Sequence, residues 1–141
     1  MRAGILDTLT DADLVFNPGG ANVTFGELFV AMGEIEYSYI TSLKTFNQDW
    51  SYRNSNADLA TRIAGINEWF DELDGRLETI VSAFSDEDLT TRVERPGGNH
   101  LPVELQLQAY MQSIFIFLGK AVVYLKAMSK PVPSIVDEYI G

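Results

Sequence analysis

Between Leu59 and Phe84 the apolar residues fall at Leu59, Ile63, Ile66, Phe70, Leu73, Leu77, Ile80 and Phe84. Steps alternating between four and three draw one stripe along an α-helix and cannot line one face of a strand, whose period is two. A stripe of that length is buried only against other helices. Asn56 is a favourable N-cap, so the spacing predicts a helix over 56–84. Its opposite side carries Glu68, Asp71, Glu72, Asp74 and Glu78, which reads as a solvated face rather than a metal site.

Two further blocks share this periodicity. Thr24-Phe25-Gly26-Glu27 has the form of a capping box, and Phe25, Leu28, Phe29, Met32, Ile35, Tyr39, Leu43 and Phe46 follow at helical steps. A helix over 24–47 is expected. The third block begins at Pro102, taken as the first helical residue, and runs over 102–129, ahead of Pro131. Ile114-Phe115-Ile116-Phe117-Leu118 and Ala121-Val122-Val123-Tyr124-Leu125 leave it no polar side. Such a helix lies at the centre of a bundle or meets a second subunit. A homodimer through this last helix is expected.

The remaining segments are short. Residues 1–23 hold a helix of about two turns, Arg2 to Leu9, that must dock on the others to persist. A polar link follows, with the turn signal Asn17-Pro18-Gly19-Gly20. The segment from Ser85 to Leu101 reads as a loop around Pro96-Gly97-Gly98, with one helical turn capped by Ser85. Residues 130–141 form a tail that packs back on the bundle. No strands or repeats are expected, and residues 1–141 read as a single all-α domain, a four-helix bundle with a short first helix.

Composition narrows the function classes. The chain has no cysteine, which removes disulfides, thiolate metal sites and cysteine nucleophiles together and fits a reducing cytoplasm. Its formal net charge of −10 repels phosphate backbones and anionic lipid, so neither nucleic acid nor membrane is expected as a partner. The opening Met1-Arg2-Ala3-Gly4-Ile5-Leu6-Asp7 lacks the apolar run of a signal peptide. The charge-free stretch from Leu105 to Gly119 is too short to span a bilayer.

Three segments carry a family likeness. The first joins Leu9-Thr10-Asp11-Ala12-Asp13-Leu14, Pro18-Gly19 and Thr24-Phe25-Gly26-Glu27-Leu28. The second is Phe84-Ser85-Asp86-Glu87-Asp88-Leu89. The third runs from Gly119-Lys120-Ala121-Val122-Val123-Tyr124-Leu125 to Lys130-Pro131-Val132-Pro133. In this order they resemble the DinB-like (DinB/YfiT) superfamily of four-helix bundles, over about Leu9 to Pro133. In metal-bearing members the resemblance implies three histidines around one divalent ion. Here those positions fall on Ala31, Ser113 and Phe117, and Lys120 stands where the family pattern has glutamine. A methyl and a phenyl group offer no donor, and a lone neutral hydroxyl is a poor one.

The sole histidine, His100, has only Glu104 at a useful spacing as a co-ligand, and reads as an exposed loop imidazole. Two more residues bear on the former pocket. Glu34 follows Ala31 by three positions, and a carboxylate buried there beside Tyr110 would bind a small cation or, protonated, donate a hydrogen bond; otherwise Glu34 points to solvent. Tyr37, Tyr39, Trp50 and Tyr52 would form either a recognition surface or part of the core. No serine–histidine–acid triad can be assembled. The resulting expectation is a metal-free, cofactor-free, non-catalytic bundle with an interaction or structural role. The alternatives are a small-ligand binder using the former metal pocket, and a metal-dependent thiol transferase or hydrolase with a substitute site.

Overall fold

The computed structural model describes residues Met1–Ile140. It is mostly helical. Six α-helices run in the order α1 (Arg2–Leu6), α2 (Phe25–Thr45), α3 (Ile63–Ser82), α4 (Asp86–Thr90), α5 (Val103–Ala127) and α6 (Ser134–Ile140). Between α4 and α5 lies an antiparallel hairpin of β1 (Arg92–Arg95) and β2 (Asn99–Pro102). Among the described residues no helix is long and apolar enough to cross a membrane.

Helix α2 is the axis of the molecule and packs along both α3 and α5. It begins at the expected box: the Glu27 amide donates to the Thr24 hydroxyl at 3.3 Å, and the Thr24 amide donates to the Glu27 carboxylate at 2.7 Å. Its first turn presses on the chain before α3. A Cβ on Gly26 would lie 1.7 Å from the Ala60 carbonyl oxygen, so only glycine permits this approach. The main core gathers Phe25, Phe29, Leu73, Leu118 and Leu125 from the three long helices, with Ile5 and Leu6 from α1. The Phe25 ring stands 5.0 Å from Phe29 and 4.9 Å from Tyr124, whose hydroxyl donates to the Val23 carbonyl.

Helix α3 starts later than the apolar spacing predicts. Asn56 does not cap it: its side chain accepts from the Asp58 amide at 3.1 Å in a local turn, and Leu59–Thr61 form a turn of 3₁₀ helix. The first amide of α3, that of Ile63, donates instead to Asp11 at 2.9 Å. A residue distant in sequence thus supplies the cap and sets the helix start. The first helix is also shorter than its expected span, closing after Leu6, although Leu9 remains buried.

The hairpin corrects the expectation of a strandless chain. Val93 points inward between exposed or half-exposed neighbours and joins Leu43 and Val103 in a second small core. Gly97 and Gly98 hold positive φ values of 84° and 76°, which lets the strands reverse. Pro102 is consequently the last residue of β2, opposite Arg92, and not the first residue of α5. Helix α2 closes beside this hairpin on Phe46, left-handed at φ 54°. That unusual backbone for a bulky residue is held on both sides of the turn, since the Glu94 amide donates to the Phe46 carbonyl at 2.9 Å and the Gln48 amide to the Glu94 carbonyl at 2.7 Å.

The tail after Pro131 is not irregular: α6 buries Val136 completely and packs on α5. Lys130 reaches Asp13 at 2.8 Å, tying the end of α5 to the link before α2. Gly141 lies outside the described residues.

Candidate functional site

The most polar point of the interior is Glu36, which is 0% exposed. It sits on the apolar stripe of α2, between Met32 and Ile40. Side chains from α1 and α5 reach it directly, and α3 contributes through its contacts with Arg2. From α1, Arg2 pairs with Glu36 through Nη1 and with Asp74 of α3 through Nη2. The Arg2 guanidinium carbon stands 4.4 Å from the centre of the Phe70 ring, also on α3. From α5, the Tyr110 hydroxyl donates to Glu36 Oε2 at 3.2 Å. Glu36 Oε1 is buried and accepts no hydrogen bond.

The electrostatics follow from burial. Desolvation pushes the Glu36 carboxyl above the usual carboxylate range, and Arg2 only partly draws it back. Burial and the Glu36 charge together push the Tyr110 phenol well up, so it remains a donor. Burial opposes the Arg2 charge, but Glu36 and Asp74 outweigh it and keep the guanidinium protonated.

A second buried polar group lies nearer the hairpin. Gln106 of α5 donates to the Ser42 hydroxyl at 2.8 Å and also to Gln48 Oε1, and Gln48 donates to the Ser38 hydroxyl at 2.6 Å. Arg95 of β1 donates to Gln106 Oε1 at 3.2 Å. Each of these side chains serves another, which fits a structural lock joining α2, α5 and the hairpin.

Two of the three family-derived positions lie together beside α2. Ser113 and Phe117 share a shallow pocket of about 240 Å³ with Ile35, Tyr39, Trp50 and Ile116. Ala31 is one turn before Ile35 on α2. The Ser113 hydroxyl is committed to the Tyr110 carbonyl at 2.7 Å, and the Phe117 ring carries the Lys120 ammonium at 5.0 Å. Glu34 does not join Tyr110. It accepts from the Asn54 amide at 3.0 Å and pairs with Arg53 at 3.7 Å, fastening the loop after α2. The carboxylate that meets Tyr110 is Glu36, two residues on, which faces the interior while Glu34 faces the loop.

His100 is exposed on β2 and Glu104 is exposed in the first turn of α5. Among the described residues no three histidine or acidic side chains are grouped to hold a metal ion. The aromatic residues divide into two pairs: Tyr37 stacks on Tyr52 at 3.6 Å, and Tyr39 meets Trp50 edge-on at 5.3 Å. A larger open groove of about 760 Å³ runs between α2 and α3, floored by Leu43, Phe46, Ile80 and Phe84 and edged by charges of both signs.

Chemically, the buried Glu36 group can hold a cation, while the pocket at Ser113 and Phe117 offers apolar contact and one committed hydroxyl. Sequence reasoning passed over Glu36. The signal was present: it lies four residues after Met32 and seven before Leu43, on the same stripe. No protein-family model matches the chain, and no curated protein matches it significantly.

Proposed function

We propose that this chain is a metal-free, non-catalytic DinB-like four-helix bundle that acts as an interaction protein, pairing with a second copy of itself through α5. The observation that carries this reading is the uncovered apolar side of that helix. Leu105 is 43% exposed, Met111 50%, Phe115 38%, and Ile116 and Val123 60% each. No charged residue interrupts α5 from Leu105 to Gly119.

Five large apolar side chains left exposed on one helix, with only the neutral Gln108 and Gln112 exposed among them from Leu105 to Ile116, favour an association surface. In a chain of net charge −10, copies repel one another over most of their surface, and the charge-free run from Leu105 to Gly119 is where they can approach. A two-fold pair sets this face against itself, which needs no second complementary surface. The family-derived positions support the metal-free half of the reading through what occupies them: a methyl group, a hydroxyl already bonded, and a ring under a lysine.

A second reading has its own observation. The pocket between Tyr39, Trp50 and Phe117 suits a small apolar ligand. At about 240 Å³ it is smaller than the roughly 300–1,000 Å³ typical of small-molecule sites, which ranks ligand binding second.

Sedimentation velocity over a range of concentrations tests the first reading. The chain is expected to run as a dimer at micromolar concentration, and Ile116→Glu, placed on a largely exposed position, as a folded monomer with unchanged circular dichroism. A monomeric parent chain would overturn it.

A further inference from the structure

Arg2 is held in a particular way. Two carboxylates, Glu36 and Asp74, receive separate nitrogens of one guanidinium, and the Phe70 ring lies against its carbon at 4.4 Å. Carboxylates match the N–H fork of a guanidinium, and an aromatic face accepts its flat, weakly hydrated cation. We propose that Glu36, Asp74, Phe70 and Tyr110 form a guanidinium-binding site that the chain keeps filled with its own Arg2. With the Arg2 side chain removed, the site takes a small guanidinium compound from solution.

Three features support this. The walls belong to α2, α3 and α5, while the occupant comes from α1, so deleting the occupant leaves the cage in place. Glu36 is fully buried and steadied by the Tyr110 hydroxyl at 3.2 Å.

The second feature is an unmet demand. Arg2 serves Glu36 Oε2 and Asp74, but Glu36 Oε1 is buried without a donor. Tethered to α1 and shared with Asp74, the side chain serves one of the two Glu36 oxygens. A free guanidinium is not tethered and carries N–H groups on every edge, so it can meet the oxygen that Arg2 leaves bare.

The third feature is access. A cavity of about 150 Å³ lies beside Arg2, bordered by Asn67, Phe70 and Asp74. It borders two of the four walls, Phe70 and Asp74, and adjoins the space that the Arg2 side chain fills. An ammonium compound would bring the charge without the fork or the plane, and the cage discriminates against it.

The test uses the full chain with Arg2→Ala and follows its melting temperature by far-UV circular dichroism. Methylguanidinium chloride is titrated to tens of millimolar, with methylammonium chloride at equal ionic strength alongside. The variant is expected to melt several degrees below the parent. Methylguanidinium should restore a saturable part of that loss, methylammonium should not, and the double variant Arg2→Ala/Glu36→Gln should not respond. The parent, its site already filled, should show no saturable rise. Equal rescue by both cations, the same response in the parent, or no rescue overturns the proposal. If Arg2→Ala is unfolded without ligand, regained helicity in methylguanidinium supports the site. Its failure to return, with Arg2→Lys folded, counts against it.

Discussion

Replacing Arg2 by methionine keeps an apolar stem and deletes the charge from the centre of the molecule. Glu36 would then be 0% exposed with one remaining donor, the Tyr110 hydroxyl at 3.2 Å. Removing one partner of a buried ion pair costs about 3–5 kcal/mol. The lower end, about 3 kcal/mol, applies here because Glu36 can escape by taking a proton and Asp74, 57% exposed, returns to water. That escape gives the loss a direction with pH. Burial already holds the Glu36 carboxyl above its ordinary value of 4.5, and without Arg2 it climbs further. Between the ordinary value and the raised one, the folded chain keeps a proton that the unfolded chain has released. Stability therefore falls as pH rises through that window, by at most about 1.4 kcal/mol per pH unit for one proton. Below the window the Glu36 penalty is absent; above it the penalty is constant. Urea unfolding from about pH 5 to pH 8 should show Arg2→Met nearest the parent at the acid end and diverging toward neutrality. Parallel profiles, or a neutral-pH loss below about 1 kcal/mol, would refute the reasoning. The double variant Arg2→Met/Glu36→Leu, with both charges gone, should recover most of the loss.

Three further outcomes are expected. Gly26→Ala, whose methyl would stand 1.7 Å from the Ala60 carbonyl oxygen, should lose about 2–3 kcal/mol in urea unfolding, the upper part of the overpacking range. Gly75→Ala, where nothing lies within 4 Å of the added carbon, should gain up to about 1 kcal/mol by helix propensity alone. Elemental mass spectrometry after incubation with zinc or nickel and dialysis should find only background metal; near one ion per chain would contradict the metal-free reading.

Helix type and approximate extent were legible because α2 and α3 repeat a three-and-four spacing over many turns, while α5 is a long apolar run bracketed by Pro102 and Pro131. So were the caps at Thr24 and Ser85, since their partners Glu27 and Asp88 are three residues away. The start of α3 was not, because its cap, Asp11, stands 52 positions earlier. The hairpin escaped for a related reason. Arg92-Val93-Glu94-Arg95 is short, charged and carries a single inward apolar residue, and its stability comes from the end of α2 and the start of α5 rather than from its own pattern. In the site, Glu34 looked suitable by its distance from Ala31, but helical angle decides burial. Two residues on, Glu36 is turned inward onto the stripe. Arg2 gave no local sign of its role, because the role consists of contacts 34 and 72 positions away.

The left-handed Phe46 has a consequence for how the molecule opens. The amide and carbonyl of Glu94 are both engaged by the turn that ends α2, and Gln106 reaches Ser42 across 64 positions and Gln48 across 58. The last turn of α2, the hairpin and the first turn of α5 therefore close one long loop together, and none of them can fray without releasing the others. In hydrogen exchange the amides of Gln48, Glu94 and Gln106 should share one opening free energy and respond alike to denaturant, as a single cooperative unit. On folding, that unit should form after the α2–α3 hairpin, whose contacts are nearer in sequence. A chain that looks like helices joined by a loop would then behave, at this end, as a zipper fastened last.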